Sequence, residues 1–273
     1  MHRVVVTGMG GITALGSSWP QIEARLRGNR NAVRYMPEWE RFTDLNTRLA
    51  APIEDFQTPA HWTRKQARGM GRVSQLAVSA TERALADAEL TGAACLNDGS
   101  TGVACGSSIG STPDIKEFAV MLLQGTSGGL NANSYVRMMP HTAAANIGIY
   151  FGLKGRIVPT SSACTSGSQA IGFAYESIKY GLQRVMLAGG AEELCPTQAM
   201  SFDILYATSR RNAEPALTPR PSRSRSYGRG VRAGSALRRL VAYRMSKDIA
   251  CVGHSSSAPP ASITFCRPYL IDS

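Results

Sequence analysis

Four short apolar runs, at residues 4–7, 101–105, 156–160 and 184–188, each break off at a turn of small residues. Runs of this length, rich in Val, Ile and Leu, are the pattern of buried strands. Helical spacing fills much of the chain between them. Over residues 73–89, Val73, Ala77, Ala80, Ala84, Leu85 and Ala88 share one face, while Glu82, Arg83 and Asp87 lie elsewhere. The small side chains of that face predict close packing against a sheet. Further helices are predicted at 19–26, 113–123, 143–150 and 165–180, a tight turn at 8–11 and a flexible loop at 125–133. Residues 29–62, with Pro37, Pro52 and Pro59, read as irregular. Strands alternating with helices imply an α/β chain with helices on both faces of its sheet.

The composition excludes several other classes. With 273 residues and 43% hydrophobic content, the chain can bury a real core, so collagen-like and wholly disordered readings fail. No run approaches the length of a membrane span, and the start lacks a signal-peptide pattern. Six cysteines form no CxxC pair and no zinc-like spacing with the four histidines. The expectation is a reduced, cytoplasmic protein without metal or cofactor. Charge is uneven: of the net +11, residues 222–273 hold +7 and residues 1–221 only +4. After Pro221 the helix and strand patterns stop, Ser and Arg alternate through Arg225, and few apolar side chains remain. Ordering each residue costs roughly 1–2 kcal/mol of backbone entropy, so this tail is expected to be irregular or disordered.

Cys164 has a distinctive setting, at the end of a buried strand and the start of a helix. A thiol there faces the positive end of the helix dipole and unpaired backbone N–H groups. Both favour the nucleophilic thiolate, and the same amides suit the oxyanion of an attacked thioester. Ala163, Ser166 and Gly167 leave room for an acyl group. Taken alone, the residue has two readings, nucleophile or structural cysteine in a small-residue turn.

Ser161-Ser162-Ala163-Cys164-Thr165-Ser166-Gly167-Ser168 resembles the nucleophile motif of the β-ketoacyl-acyl-carrier-protein synthases, condensing enzymes of the thiolase-like superfamily. Other segments agree in order and spacing: Arg3 to Gly10 with Leu15-Gly16, Gly106-Ser107-Ser108-Ile109-Gly110, and Phe151-Gly152-Leu153-Lys154-Gly155. So do Gly189-Gly190-Ala191-Glu192-Glu193, Phe202 and Leu217-Thr218-Pro219-Arg220-Pro221. The resemblance covers about residues 1–221, read as the family's N-terminal domain. It implies a thiolase-like layered fold, N-terminal half, with helices packed on a mixed sheet and an irregular tail at 222–273. It also implies that Cys164 takes an acyl chain from a carrier-protein thioester. Malonyl-carrier protein then decarboxylates, and its carbanion attacks the acyl-enzyme. Ile109 and Phe202 match acyl-pocket positions, and Lys65 and Arg68 match the surface that docks the acidic carrier. The family forms homodimers, with residues 134–150 and the strand before Cys164 at the interface.

Departures from the family begin where the tail begins. The resemblance assigns decarboxylation to two histidines and a nearby lysine in second-half motifs, and residues 222–273 contain none of them. His254 lacks their context, and His141 reads as structural. An Arg/Ser/Ala/Gly-rich tail starting where the resemblance stops is what a shifted reading frame in a GC-rich gene produces. The expected chain is therefore one that is acylated but does not condense. Competing patterns are weak. Gly8-Met9-Gly10-Gly11 mimics a dinucleotide fingerprint, but Thr13 stands at its third glycine and Gly28 near its acidic position. Ser162 and Ser166 occupy the glycine places of a hydrolase elbow. The basic tail admits nonspecific binding to an anionic polymer, but no recognisable nucleic-acid module is present.

Overall fold

A computed structural model describes residues 1–28, 30–217, 250–251 and 261–263. In chain order the first elements are β1 (Val4–Val5), β2 (Gly8–Met9), α1 (Trp19–Arg27), β3 (Arg34–Tyr35), β4 (Leu49–Ala50), α2 (Arg64–Ala67) and α3 (Arg72–Asp87). Then come β5 (Thr101–Gly106), α4 (Thr112–Gln124), α5 (Ala132–Met138), α6 (Thr142–Phe151), β6 (Ile157–Pro159), α7 (Ser166–Lys179), β7 (Val185–Gly190) and α8 (Pro196–Ile204). Two short tail strands, β8 (Ala250–Cys251) and β9 (Ala261–Ile263), complete the set. The described residues group into two units, 1–12 with 56–193 and the tail strands, and 13–55 with 194–217.

The first unit is built on a mixed sheet, as predicted. Its described strands run in the order β1-β9-β7-β5-β6, with β8 antiparallel to β2 and β7. The centre is the parallel pair β5 and β7, in register from Thr101↔Val185 to Gly106↔Gly190 and buried along both strands. Burying one Val or Leu side chain contributes about 1.5–3 kcal/mol, so Val103, Val185 and Leu187, at most 1% exposed, anchor the unit. Helix α7 packs on β5 and β7, and α6 packs on β5 and β6.

Residues 8–11, read from sequence as a turn, instead begin with the strand β2. The glycines serve packing. A Cβ on Gly8 would stand 2.5 Å from Ala88 N, and one on Gly10 would stand 2.2 Å from Ala80 O. Both groups belong to α3 or its cap, so the alanine face of that helix lies directly on the bare strand. Asp87 fastens the contact by accepting from Met9 N–H at 2.7 Å.

Part of the predicted loop at 125–133 is also helical, since α5 starts at Ala132 behind an Asn131–Ser134 capping box. An ion pair ties α5 to α4. Arg137 Nη2 lies 2.6 Å from Asp114 Oδ1, and Nε donates to both carboxylate oxygens. Burial pushes the Asp114 carboxyl up, but the Arg137 hydrogen bonds and charge, with Ser111 and Ser134, outweigh it and hold it below the usual range.

The second unit contains α1, the β3–β4 antiparallel pair and α8. Its core is Met36, Trp39, Leu45, Ala50 and Ala199, with Phe42, Leu194 and Met200 packed against it. The stretch read as irregular thus contains a hairpin and most of a small core. Apart from β8 and β9, the irregular tail expected at 222–273 lies outside the described residues.

Two stability predictions follow from this packing. Gly10→Ala must push β2 off α3 and should lower the urea midpoint by about 1–3 kcal/mol equivalent. Asp114→Asn should cost about 3 kcal/mol, the low end for a broken buried pair, because the Arg137 side chain keeps 24% exposure. Since the folded carboxyl is depressed, its contribution is complete above the unfolded value and is lost as pH falls through the folded one. The wild-type advantage over Asp114→Asn should be flat above about pH 5 and shrink below about 4, measured by denaturant titration.

Candidate active site

The strand that delivers the chain to the Cys164 corner is β6, and it is not the buried strand expected from sequence: it ends the described strand order, with Ile157 and Pro159 exposed and Val158 half-buried. Strand β6 runs parallel to β5, and beyond it Thr160 N–H donates to Cys105 O at 3.2 Å. A single 3-10 turn, Ala163–Thr165, then precedes α7. Cys164 therefore sits in that 3-10 turn, two residues before the first residue of α7, close to the helix start expected from sequence. Ala163 has φ 50°, in the left-handed region. Such a backbone costs an alanine about 1–2 kcal/mol.

Hydroxyl groups hold the corner in place. Ser166 Oγ donates to Ala163 O at 2.8 Å and accepts from Ser162 N–H at 3.0 Å. Thr165 Oγ1 donates to Ser162 O at 2.9 Å, and Thr160 Oγ1 donates to Ser166 O at 3.0 Å. The Ser and Thr side chains thus bond the turn to itself. Gly106 explains how β5 comes so close, because a Cβ there would lie 2.6 Å from Thr160 O and 2.7 Å from Ser166 Cβ.

Among the described cysteines, Cys164 is exposed, while Cys105 and Cys195 are buried. Burial, with a smaller push from the Glu192 charge, raises the Cys105 thiol to about 12, so it stays protonated and inert at neutral pH. Cys195 Sγ lies 3.0 Å from Thr197 Oγ1. The corner presents the exposed thiol of this group.

The loop after β5 is clamped by two acids that follow β7, and sequence reading gave them no chemical role. Glu192 Oε1 accepts from Ser107 Oγ at 3.0 Å and from Ile109 N–H at 3.1 Å. Its Oε2 accepts from Ser108 N–H at 3.1 Å and Ser108 Oγ at 2.8 Å. Glu193, 4% exposed, accepts from Thr112 N–H at 2.6 Å. Burial pushes the Glu193 carboxyl up, against the Thr112 hydrogen bonds and the Arg72 charge. A signal for the pair was present in the sequence: two adjacent acids directly after a strand of small buried residues.

The other predicted site residues are distributed over both units. Ile109 stands in the clamped loop, half-buried. Lys65 and Arg68 are exposed on α2 and its C-cap, behind a Thr63–Gln66 capping box. Their platform is fixed from below: Trp62 is buried and donates from Nε1 to Glu82 at 3.0 Å, and Arg137 Nη1 donates to Arg68 O at 3.3 Å. Phe202 belongs to the second unit, half-buried on α8. Its neighbour Asp203 secures that helix by accepting from Asn46 N–H at 2.6 Å and Thr208 Oγ1 at 2.6 Å.

Among the described residues, no group of three or more His, Cys, Asp or Glu is arranged to hold a metal ion. No described helix is long and apolar enough to cross a membrane.

The family model for the beta-ketoacyl synthase N-terminal domain matches residues 1–234. A 3-oxoacyl-[acyl-carrier-protein] synthase 2 from Vibrio harveyi is 34% identical over 229 residues, covering 81% of this chain and 53% of that protein. A 3-oxoacyl-[acyl-carrier-protein] synthase 1 from Escherichia coli (strain K12) is 30% identical over 213 residues, 77% of this chain and 52% of that protein. The chain spans about half the length of the curated relatives it matches. The crystal structure of a beta-ketoacyl synthase from Burkholderia phymatum superposes with a TM-score of 0.80 at 59% identity, covering 84% of this chain and 56% of that one. With the sheet, the corner and the sequence match in agreement, the chain belongs to the beta-ketoacyl synthase family, whose N-terminal domain it carries.

Proposed function

We propose that the chain carries the nucleophile of a 3-oxoacyl-carrier-protein synthase, and that Cys164 is its acyl-accepting residue. The observation that carries this reading is an exposed thiol on a strained, hydrogen-bonded corner that follows β6 and lies against the end of the buried strand β5. The Cys164 thiolate attacks the carbonyl of an acyl thioester, and the carrier thiol leaves. Thr165 and Ser166 N–H groups already bond to the Ser162 and Ala163 carbonyls. The Cys164 N–H starts the turn, where helix geometry supplies no acceptor, so it serves the oxyanion. In a complete synthase of the family, malonyl-carrier protein would then decarboxylate, releasing CO2, and its carbanion would attack the acyl-enzyme to form a β-ketoacyl product. A free nucleophilic thiol needs a reducing compartment, which the cytoplasm supplies.

Ile109 and Phe202 are assigned to the acyl path, and Lys65 and Arg68 to carrier docking. The exposed cations on a rigid platform favour steering of an acidic carrier. A homodimer is assigned through β6 and residues 134–150. β6 ends the described strand order, and Ile157 and Ile149 are 42% and 78% exposed, apolar surface that a second copy would cover.

Decarboxylation in the family rests on histidines and a lysine, and the described histidines are all engaged elsewhere. His61 Nε2 lies 2.9 Å from Glu82, His2 lies against Gly181, and His141 caps α6. General acid–base groups typically contribute about 10²–10⁴-fold. Incubated with acyl-carrier protein, the 273-residue chain should gain one acyl mass at Cys164 by intact-protein mass spectrometry. Cys164→Ser should gain none, and neither protein should release β-ketoacyl product above background. Label on another residue, or condensation by this chain, would overturn the assignment. Lys65→Glu with Arg68→Glu should slow loading from carrier protein roughly tenfold or more, while loading from a small pantetheine thioester stays unchanged. Equal slowing with both donors would remove the docking role.

A further inference from the structure

Every residue of the loop between β5 and α4 is held by a definable contact, but the contacts come from different places. Gly110 is pressed against α5, since a Cβ there would stand 2.0 Å from Met138 O. Ser111 N–H donates to Arg137 O at 2.9 Å, and Thr112 N–H donates to Glu193. Ser107, Ser108 and Ile109 make four hydrogen bonds to the one Glu192 carboxylate, two of them from backbone N–H groups. A carboxylate offers about four acceptor sites, and hydrogen bonds to a charged acceptor are roughly twice as strong as neutral ones. Removing that carboxylate therefore takes away the bonds that join residues 107–109 to the segment after β7, while the contacts of Gly110 and Ser111 remain.

The position of Ile109 follows from this arrangement. Its backbone N–H shares Oε1 with the buried Ser107 hydroxyl, so the residue cannot translate without breaking a charge-assisted bond. The single Ser107 hydroxyl proton is shared between two acceptors, Ile109 O at 2.7 Å and Glu192 Oε1 at 3.0 Å, which ties Ile109 from its other end. Both peptide groups of Ile109 are thus set by Glu192 and the serine it orients.

We propose that Glu192 is a positioning residue for acyl-chain selection: it fixes the main chain at Ser108 and Ile109 and so sets where the Ile109 side chain limits the acyl path. The ligand class is the saturated acyl chain of a thioester. The inference rests on the reading of Ile109 as an acyl-path residue. Glu192→Gln removes the charge and replaces one acceptor oxygen by an NH2 group, so one backbone N–H loses its acceptor while the serine hydroxyl on that side can turn and accept, with side-chain size unchanged.

The test uses the full chain, with Glu192→Gln, Ile109→Ala and the milder Ser108→Ala. Ser108→Ala removes one hydroxyl bond and preserves the fold if Glu192→Gln does not. Hydrogen exchange of the peptide covering 107–112 reads the loop directly. Transfer of hexanoyl and dodecanoyl groups from pantetheine thioesters to Cys164, followed by mass spectrometry, reads selectivity. Glu192→Gln should speed exchange at Ser108 and Ile109. It should also shift the dodecanoyl-to-hexanoyl rate ratio in the same direction as Ile109→Ala, by roughly tenfold, the low end for one misplaced methylene in an apolar pocket. Ser108→Ala should do both to a smaller degree. Unchanged exchange in Glu192→Gln and Ser108→Ala overturns the inference, whether or not Cys164 accepts either thioester. An unchanged ratio in Glu192→Gln, where Ile109→Ala shifts it, overturns the inference and leaves the Ile109 reading intact. An unchanged ratio in both variants overturns the two together.

Discussion

The register of β5 on β7 is the constraint from which the rest of the site follows. Both strands are buried throughout and end at the same level, at Gly106 and Gly190. Their following segments must therefore emerge side by side, and Ala191 N–H bonds to Gly106 O at 3.1 Å. That one adjacency brings Glu192 to the loop carrying Ile109. Gly106 also admits Thr160 and Ser166 to van der Waals range, which sets the Cys164 corner against the same strand end. A one-residue slip would turn every side chain on β5 to the opposite face, so the burial of both strands protects the site's geometry.

The corner itself exchanges local strain for a fixed thiol. Ala163 adopts a left-handed backbone, and the Ser and Thr hydroxyls around it are used internally rather than offered to solvent. The result is a cysteine held at the surface by bonds on either side of it. Its buried counterpart Cys105 shows the contrast, since the same side chain one strand away has its thiol pushed up to about 12. Position, not residue type, separates the exposed cysteine from the core cysteine.

Much of the first unit was legible in the sequence, for reasons that are local. Six-residue apolar runs such as β5 and β7 have one stable environment, a covered sheet. The alanine face of α3 announced close packing, and Gly8 and Gly10 are the surface it packs on. Where the reading failed, the missing information was long-range. Gly8-Met9 looked like a turn because glycine is permissive, yet the alanine helix above it calls for a bare strand. The hairpin β3–β4 pairs Arg34 with Ala50 across a proline-containing stretch, which no short-range pattern signals. Helix α5 was hidden by the glycines before it, although its Asn131–Ser134 cap was present in the letters.

The amino-acid sequence alone determined the fold class, the family resemblance and the identity of Cys164 as the residue to watch, because strand burial, helix periodicity and a dense local motif are written over neighbouring positions. Only the tertiary structure decided that Ala163 is left-handed and that Glu192 holds the loop of Ile109. Those facts depend on groups 83 or more residues apart, or on a backbone angle that neighbouring contacts impose. Chain connectivity encodes neither directly; the packing of β5 against β7 supplies both.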